Sequence, residues 1–82
     1  MNYHATVQYS AFPGNITSCS GMVVEIDKDE YVIAINTNVP KAKQFHALLH
    51  ETAHLLYGHL VSSRPVEECE EEANRFADRY SA

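Results

Sequence analysis

The stretch that decides the fold is "FHALLHETAHLLYGH", residues 45–59. It holds four of the chain's five histidines and a single glutamate, Glu51. Its leucines recur at the three-to-four spacing of one helix face, which predicts a helix from about Pro40 to about Leu60. We expect its apolar stripe to be buried: Phe45, Leu48, Leu49, Leu56 and Leu60, with Ala53 and Leu55 beside them.

Within this helix, residues His50 to His54 form the pattern H-E-x-x-H. Residues four apart project from one helix face, so both imidazoles can reach one cation. Zinc takes two neutral imidazoles and a third protein ligand in catalytic sites, and leaves a position for water. Glu51 is rotated by about 100° from His50 and can act on that water as general base. The pattern predicts a zinc site that hydrolyses amides, and the alternative is a helix with solvated histidines.

The third ligand must come from elsewhere in the chain. The segment "VEECEEEANRFADRY", residues 66–80, predicts a second helix from about Pro65 to Tyr80. Of its glutamates, Glu72 is the predicted metal ligand, because it lies one turn before Phe76 and flanks the apolar stripe. Glu68 and Glu71 are the alternative third ligands, and the other carboxylates are expected to be solvated. The stripe itself comprises Cys69, Ala73, Phe76, Ala77 and Tyr80.

Other polar side chains have weaker claims to the site. Tyr57 could donate to a developing oxyanion, although tyrosine in a small domain also serves packing. His4 and Tyr9 are further possible donors without positional evidence. His46 is expected to be solvated or to contact a ligand, and His59 is expected to point elsewhere, at the helix end.

The segments before the first helix predict strands. Residues 3–9 form a short extended element, and residues 21–26 and 31–36 are β-branched runs that flank a polar link. Such a pair predicts a β-hairpin. We therefore expect an α+β fold: a small zincin-like domain whose hairpin or short antiparallel sheet packs against an active-site helix (about 40–60) and a second helix (about 65–80).

Length and charge exclude several classes of protein. Eighty-two residues predict a single domain, residues 1–82. The net charge of −5 argues against direct binding to nucleic acid. No apolar run is long enough for a bilayer, and the N-terminus does not resemble a secretion signal. We expect a cytoplasmic protein without a membrane segment.

Two segments together resemble a known family. "HALLHETAHLLYGH" followed by "EEEANRFA" is similar to the ImmA/IrrE-type zinc metallopeptidases, whose signature is H-E-x-x-H on one helix and E-A-N-x-F-A on the next. The resemblance covers roughly residues 20–78. It implies zinc as cofactor, with His50, His54 and a glutamate of "EEEAN" as ligands. Glu72 matches the position before Ala73, and Glu51 matches the general base.

The resemblance also implies a substrate. In that family it is typically a DNA-binding repressor of a mobile element or stress regulon, here expected to be a helix-turn-helix protein. Relatives usually continue beyond the F-A segment, so this chain is expected to be a short or C-terminally truncated member.

Three hypotheses follow. The leading one is a zinc-dependent endopeptidase. The second is a catalytically inactive, zinc-binding regulatory module of the same family, whose metal would have a closed coordination shell. The third is a metal-free helical protein whose acidic segment meets a basic partner.

Overall fold

The computed structural model describes residues 5–15 and 19–81. Three strands precede two helices: β1 (Thr6–Phe12), β2 (Gly21–Asp27), β3 (Glu30–Asn36), α1 (Lys41–Leu56) and α2 (Val66–Ser81). A 3₁₀ turn, His59–Val61, lies between the helices. The predicted α+β class is confirmed. Within this described part of the chain, no helix is both long and apolar enough to cross a membrane.

The sheet is mixed, with the strand order β1-β3-β2. The predicted hairpin is present: β2 pairs antiparallel with β3, and Val24 lies opposite Val32. Its turn contains Asp29 at a φ of 58°, a conformation that aspartate tolerates better than most residues. The first strand runs parallel to β3, with Gln8 opposite Val32, so the sheet is not purely antiparallel. Both β1 and β2 are therefore edge strands.

The most buried side of α1 is not its leucine stripe. Phe45, Leu56 and Leu60 are 50%, 65% and 44% exposed, so the prediction that they are buried is wrong. Ala53, which was predicted to lie on the core face, is buried, and the other buried positions of α1 are Ala47, Glu51 and His54. The periodicity of the leucines indicated a helix correctly. The face of that helix that packs inward, however, carries alanines and residues of the predicted site. On α2 the buried positions Cys69, Ala73 and Ala77 follow the predicted stripe.

The first helix is shorter than predicted because a glycine ends it. Tyr57 is its C-cap residue, and Gly58 has the left-handed φ of 67°, which an added Cβ would disfavour. The Gly58 N–H donates to the Leu55 carbonyl at 3.2 Å. The chain then turns into His59–Val61, so His59 does not continue the surface of α1.

A buried asparagine fixes the loop between β1 and β2. Asn36 has no exposed surface. Its Oδ1 accepts from the N–H groups of Gly14 and Asn38, at 3.1 and 2.9 Å. Its Nδ2 donates to the carbonyls of Asn15 and Cys19, at 3.0 and 3.4 Å. The amide therefore uses both lone pairs and both protons to hold chain segments far apart in sequence.

Replacing this asparagine should destabilise the protein. We expect Asn36→Ala to lower the free energy of unfolding by about 2–4 kcal/mol, because several backbone groups lose their partner inside the fold. Urea unfolding measures the change. Asn38→Ala is the matched control, since the exposed Asn38 side chain donates to the Gly14 carbonyl. Equal effects of the two changes would contradict a special role for Asn36.

Candidate metal centre

The three charged or ionisable residues of H-E-x-x-H meet at one point. The Nε2 atoms of His50 and His54 are 3.0 Å apart. One potential ligand atom from each of His50, Glu51 and His54 lies within 4.8 Å of the others. Glu51 and His54 are buried. The helical spacing therefore brings both imidazoles and the carboxylate together as predicted from the sequence.

A fourth residue, Glu70 of α2, contacts both histidines. Its Oε2 lies 2.9 Å from His50 Nε2, and its Oε1 lies 3.3 Å from His54 Nε2. The carboxylate thus spans the pair from the opposite helix. Glu70 was not among the glutamates that the sequence singled out.

The predicted third carboxylates lie elsewhere. Glu72 accepts hydrogen bonds from His59 and Arg64, at 2.7 and 3.1 Å. Glu68 pairs with Arg64 across 3.9 Å, and Glu71 pairs with Arg75. The structure therefore brings Glu70, and not Glu72, Glu71 or Glu68, to the histidine pair. The sequence had favoured Glu72 as the third ligand, with Glu68 and Glu71 as alternatives, and the segment "EEEAN" of the resemblance also includes Glu70.

The rotation of α2 about its own axis explains why Glu70, and not Glu72, contacts the histidines. Ala73 has no exposed surface and marks the centre of the buried side of α2. Glu70, three residues earlier, is offset from Ala73 by about 60° around the helix, whereas Glu72 is offset by about 100° in the opposite direction. The two glutamates therefore flank the buried stripe on opposite sides. Asn74 could have indicated Glu70 from the sequence. The two residues are four apart, so they lie one turn apart on the same face of α2.

The hydrogen bond of His50 to Asn74 fixes which of its nitrogens is free. His50 Nδ1 lies 2.8 Å from Asn74 Oδ1. The oxygen can only accept, so the Nδ1–H of His50 donates. In the neutral ring, Nε2 then carries a lone pair. That lone pair points toward Glu70.

His54 is oriented through His59. The His59 Nε2–H donates to the Glu72 carboxylate at 2.7 Å, so Nδ1 of neutral His59 is an acceptor. His54 Nδ1 lies 2.8 Å from that atom and donates its proton to it. His54 Nε2 is then also left with a lone pair. The prediction that His59 points elsewhere is wrong: its side chain is only 2% exposed.

These donors fit a zinc ion. Two imidazole nitrogens and a carboxylate converge within 3.3 Å, and a cation between them would be attracted by all three groups. Two histidines and one glutamate form a known catalytic zinc set. Zn–N bonds of about 2.0–2.1 Å place two tetrahedral ligands roughly 3.3 Å apart, close to the observed spacing.

Burial shifts the pKa of two residues in the site. Burial lowers the pKa of His54; the Glu70 carboxylate opposes this shift, whereas His50 and His59 add to it. A neutral His54 is the form that binds metals. Burial also raises the pKa of Glu51, with His50 opposing and Glu70 adding to the shift. A raised pKa brings a carboxyl closer to the range in which it can exchange protons with water.

Because the Glu51 carboxyl is buried, we predict that its negative charge destabilises the metal-free protein. Since the pKa of Glu51 is higher in the folded than in the unfolded chain, the folded state holds that proton more tightly. The stability of the wild type should then fall as pH rises through the interval between the two values. We expect Glu51→Gln to raise the metal-free stability at pH 7 by about 1 kcal/mol, the scale of a buried unpaired polar group.

Urea unfolding with a chelator, at pH 7 and at a pH below the ordinary carboxyl range, measures this difference. The advantage of the glutamine variant should shrink at the lower pH, where Glu51 is protonated in both states. An advantage that is constant with pH would contradict an origin in the buried charge.

Clefts lie on both sides of the histidine pair. One has a volume of about 470 Å³ and includes Ser20, Lys43 and Asn74 in its lining. The other, of about 370 Å³, includes Met22 and Leu60. Gly21, Glu51 and Glu70 line both clefts. An added Cβ on Gly21 would lie 3.3 Å from the Ala47 Cβ, so glycine lets the edge strand β2 approach α1 closely beside the site.

The remaining candidate residues do not join the centre. The Tyr57 ring lies against Phe76 and His59, at centroid distances of 6.1 and 5.8 Å, and Tyr57 lines neither cleft. His46 donates from Nε2 to Asp78 Oδ1 at 2.9 Å and so links α1 to α2. Tyr9 is 66% exposed and belongs to β1, the opposite edge strand from β2. His4 lies outside the described residues.

Fold and site together define a class: a small α+β domain with an H-E-x-x-H helix whose imidazoles meet a glutamate of the following helix. The sequence model of the family described as "IrrE N-terminal-like domain" (Peptidase_M78) matches residues 6–80. The chain therefore belongs to this family, and a metallopeptidase-type function follows at the level of the family. No curated protein and no solved structure matches the chain.

Proposed function

We propose that this protein is a zinc-dependent endopeptidase with His50, His54 and Glu70 as metal ligands and Glu51 as general base. One observation carries the proposal: both Nε2 atoms face the Glu70 carboxylate within 3.3 Å. Family membership supports the reaction type. Zinc held there would supply Lewis acidity, making a water molecule more acidic and polarising the scissile carbonyl.

Glu51 has the position and environment of the base. It follows His50 directly on α1, so its carboxylate lies beside the metal ligands and is also buried. Its raised pKa favours uptake of a proton from the attacking water. The same carboxyl can pass that proton to the leaving amine nitrogen when the C–N bond breaks.

The edge strand β2 is suited to binding an extended polypeptide. Among the strands that the structure describes, it pairs only with β3, so its other edge offers backbone N–H and C=O groups to a further strand. Gly21 of this strand lines both clefts beside Glu51. A substrate added to β2 would thus extend into a cleft on each side of its scissile bond.

The substrate that we propose is a protein, and specifically a helix-turn-helix transcriptional repressor, as the family resemblance suggests. The net charge of −5 suits a partner with the basic surface of a DNA-binding domain. It does not suit direct contact with nucleic acid. We place this reaction in the cytoplasm, where such a repressor acts, as part of the same proposal.

The test is cleavage by protein of known zinc content. Protein purified without added metal should contain one zinc per chain and should cut the candidate repressor at a defined bond. Mass spectrometry of the products locates the bond. An intact substrate with zinc still bound would contradict the peptidase and favour the inactive regulatory module, and protein without zinc would favour the metal-free interaction protein.

A further inference from the structure

We propose that His59, anchored by Glu72 and Arg64, is a positioning residue that holds the His54 ring with Nε2 free for the metal. This inference rests on the zinc site of the proposed function, but it concerns residues that are not metal ligands in that proposal. It assigns a role to a histidine, and to two ionised side chains, that the proposed reaction does not use directly.

A continuous series of hydrogen bonds links Arg64 to His54. The Arg64 Nη1–H donates to Glu72 Oε1 at 3.1 Å, and the His59 Nε2–H donates to the same oxygen at 2.7 Å. His59 Nδ1 then faces His54 Nδ1 at 2.8 Å. This series of hydrogen bonds begins at the surface, where the Arg64 side chain is 46% exposed, and ends at the buried His54.

Each residue in this series of hydrogen bonds determines whether the next one acts as donor or as acceptor. Arg64 can only donate, so it favours an ionised Glu72, which can only accept. His59 must therefore present its proton to Glu72 and its lone pair to His54. His54 must in turn carry its proton on Nδ1. The two bonds of His59 also fix the plane of its ring, and with it the direction of the His54 ring.

The two metal-binding histidines are supported differently. His50 donates to Asn74 Oδ1, a neutral amide on α2. His54 donates to an imidazole that a carboxylate polarises, which makes the acceptor stronger. A stronger acceptor raises the basicity of the ligand nitrogen, and such outer partners typically account for 10- to 100-fold in metal affinity.

The position of His59 comes from the turn after α1. Gly58, at a φ of 67°, ends the helix and lets the 3₁₀ turn carry His59 back under His54. Glu72 reaches His59 because it lies on the side of α2 opposite to Glu70. Two glutamates of the same run therefore contact the site from different sides. Glu70 contacts His50 and His54, and Glu72 contacts His59.

The decisive comparison is between two substitutions of His59. His59→Phe keeps a ring of similar size but cannot accept a proton from His54. His59→Asn retains an acceptor near the position of Nδ1. We expect His59→Phe to weaken zinc binding by about 10- to 100-fold and His59→Asn to restore most of the loss. Competition with a chromophoric chelator measures the dissociation constants.

The matched control is His46→Phe, because His46, like His59, pairs with a carboxylate on α2, here Asp78, but has no contact with His54. Its zinc affinity should equal that of the wild type. Urea unfolding of the metal-free variants separates a lost fold from lost positioning. Nitrogen-15 NMR of the zinc-loaded wild type should show His59 protonated on Nε2 and His54 protonated on Nδ1.

Two outcomes would overturn the inference alone: wild-type zinc affinity in His59→Phe, or a His59 ring protonated on Nδ1. A wild type that binds no zinc would overturn the proposed function and the role of His59 together. A wild type that binds zinc but cuts nothing would contradict the peptidase, yet the affinity ratio of the two variants would still decide the role of His59.

Discussion

Glu51→Gln is expected to reduce cleavage of the repressor by about 10²- to 10⁴-fold, the usual contribution of a general base. The glutamine has nearly the same shape but cannot take a proton from water. Zinc binding should persist, because His50, His54 and Glu70 are unchanged and Glu70 makes the direct contacts with both imidazoles. The reaction is followed as the rate of product formation at saturating zinc.

The control for this change is Glu71→Gln, the same substitution on the exposed part of α2, where Glu71 pairs with Arg75. It should leave the rate unaltered. A zinc-loaded Glu51→Gln protein that cuts as fast as the wild type would remove Glu51 from the mechanism. A loss of zinc in this variant would instead make Glu51 a ligand.

Glu70→Ala should weaken zinc binding by more than about 100-fold, beyond the range typical of outer partners. It removes the carboxylate nearest to both Nε2 atoms, at 2.9 and 3.3 Å. Glu72→Gln should have a smaller effect, because Glu72 acts only through His59. Glu71→Gln should have none. Three neighbouring glutamates thus predict three distinct affinities, each measured by competition with a chelator.

The order of these effects tests the choice between Glu70 and Glu72 directly. If Glu72→Gln weakens zinc binding more than Glu70→Ala does, then Glu72 is the third ligand, as the sequence suggested. It would also mean that α2 rotates when the metal binds. Circular dichroism of each variant, with and without zinc, checks that the helices remain formed.

Much of the fold was predictable because its signals are local. The hairpin was evident from two β-branched runs and a polar link, and it appears as β2 and β3. The two helices were evident from their periodicity. The parallel pairing of β1 with β3 was not, since partners distant in sequence leave no trace in the spacing of either strand. The early end of α1 could have been suspected from Gly58.

The sequence by itself determined the part of the site that one helix contains. Spacing alone aligns His50 with His54 and places Glu51 beside them, because α-helical geometry fixes their relative directions. Tertiary structure alone decided which partners face them. Glu70, Glu71 and Glu72 are consecutive and point in three directions, so only the rotation of α2 against α1 selects Glu70. Likewise His59 reaches His54 through a turn, whose path no helical periodicity describes.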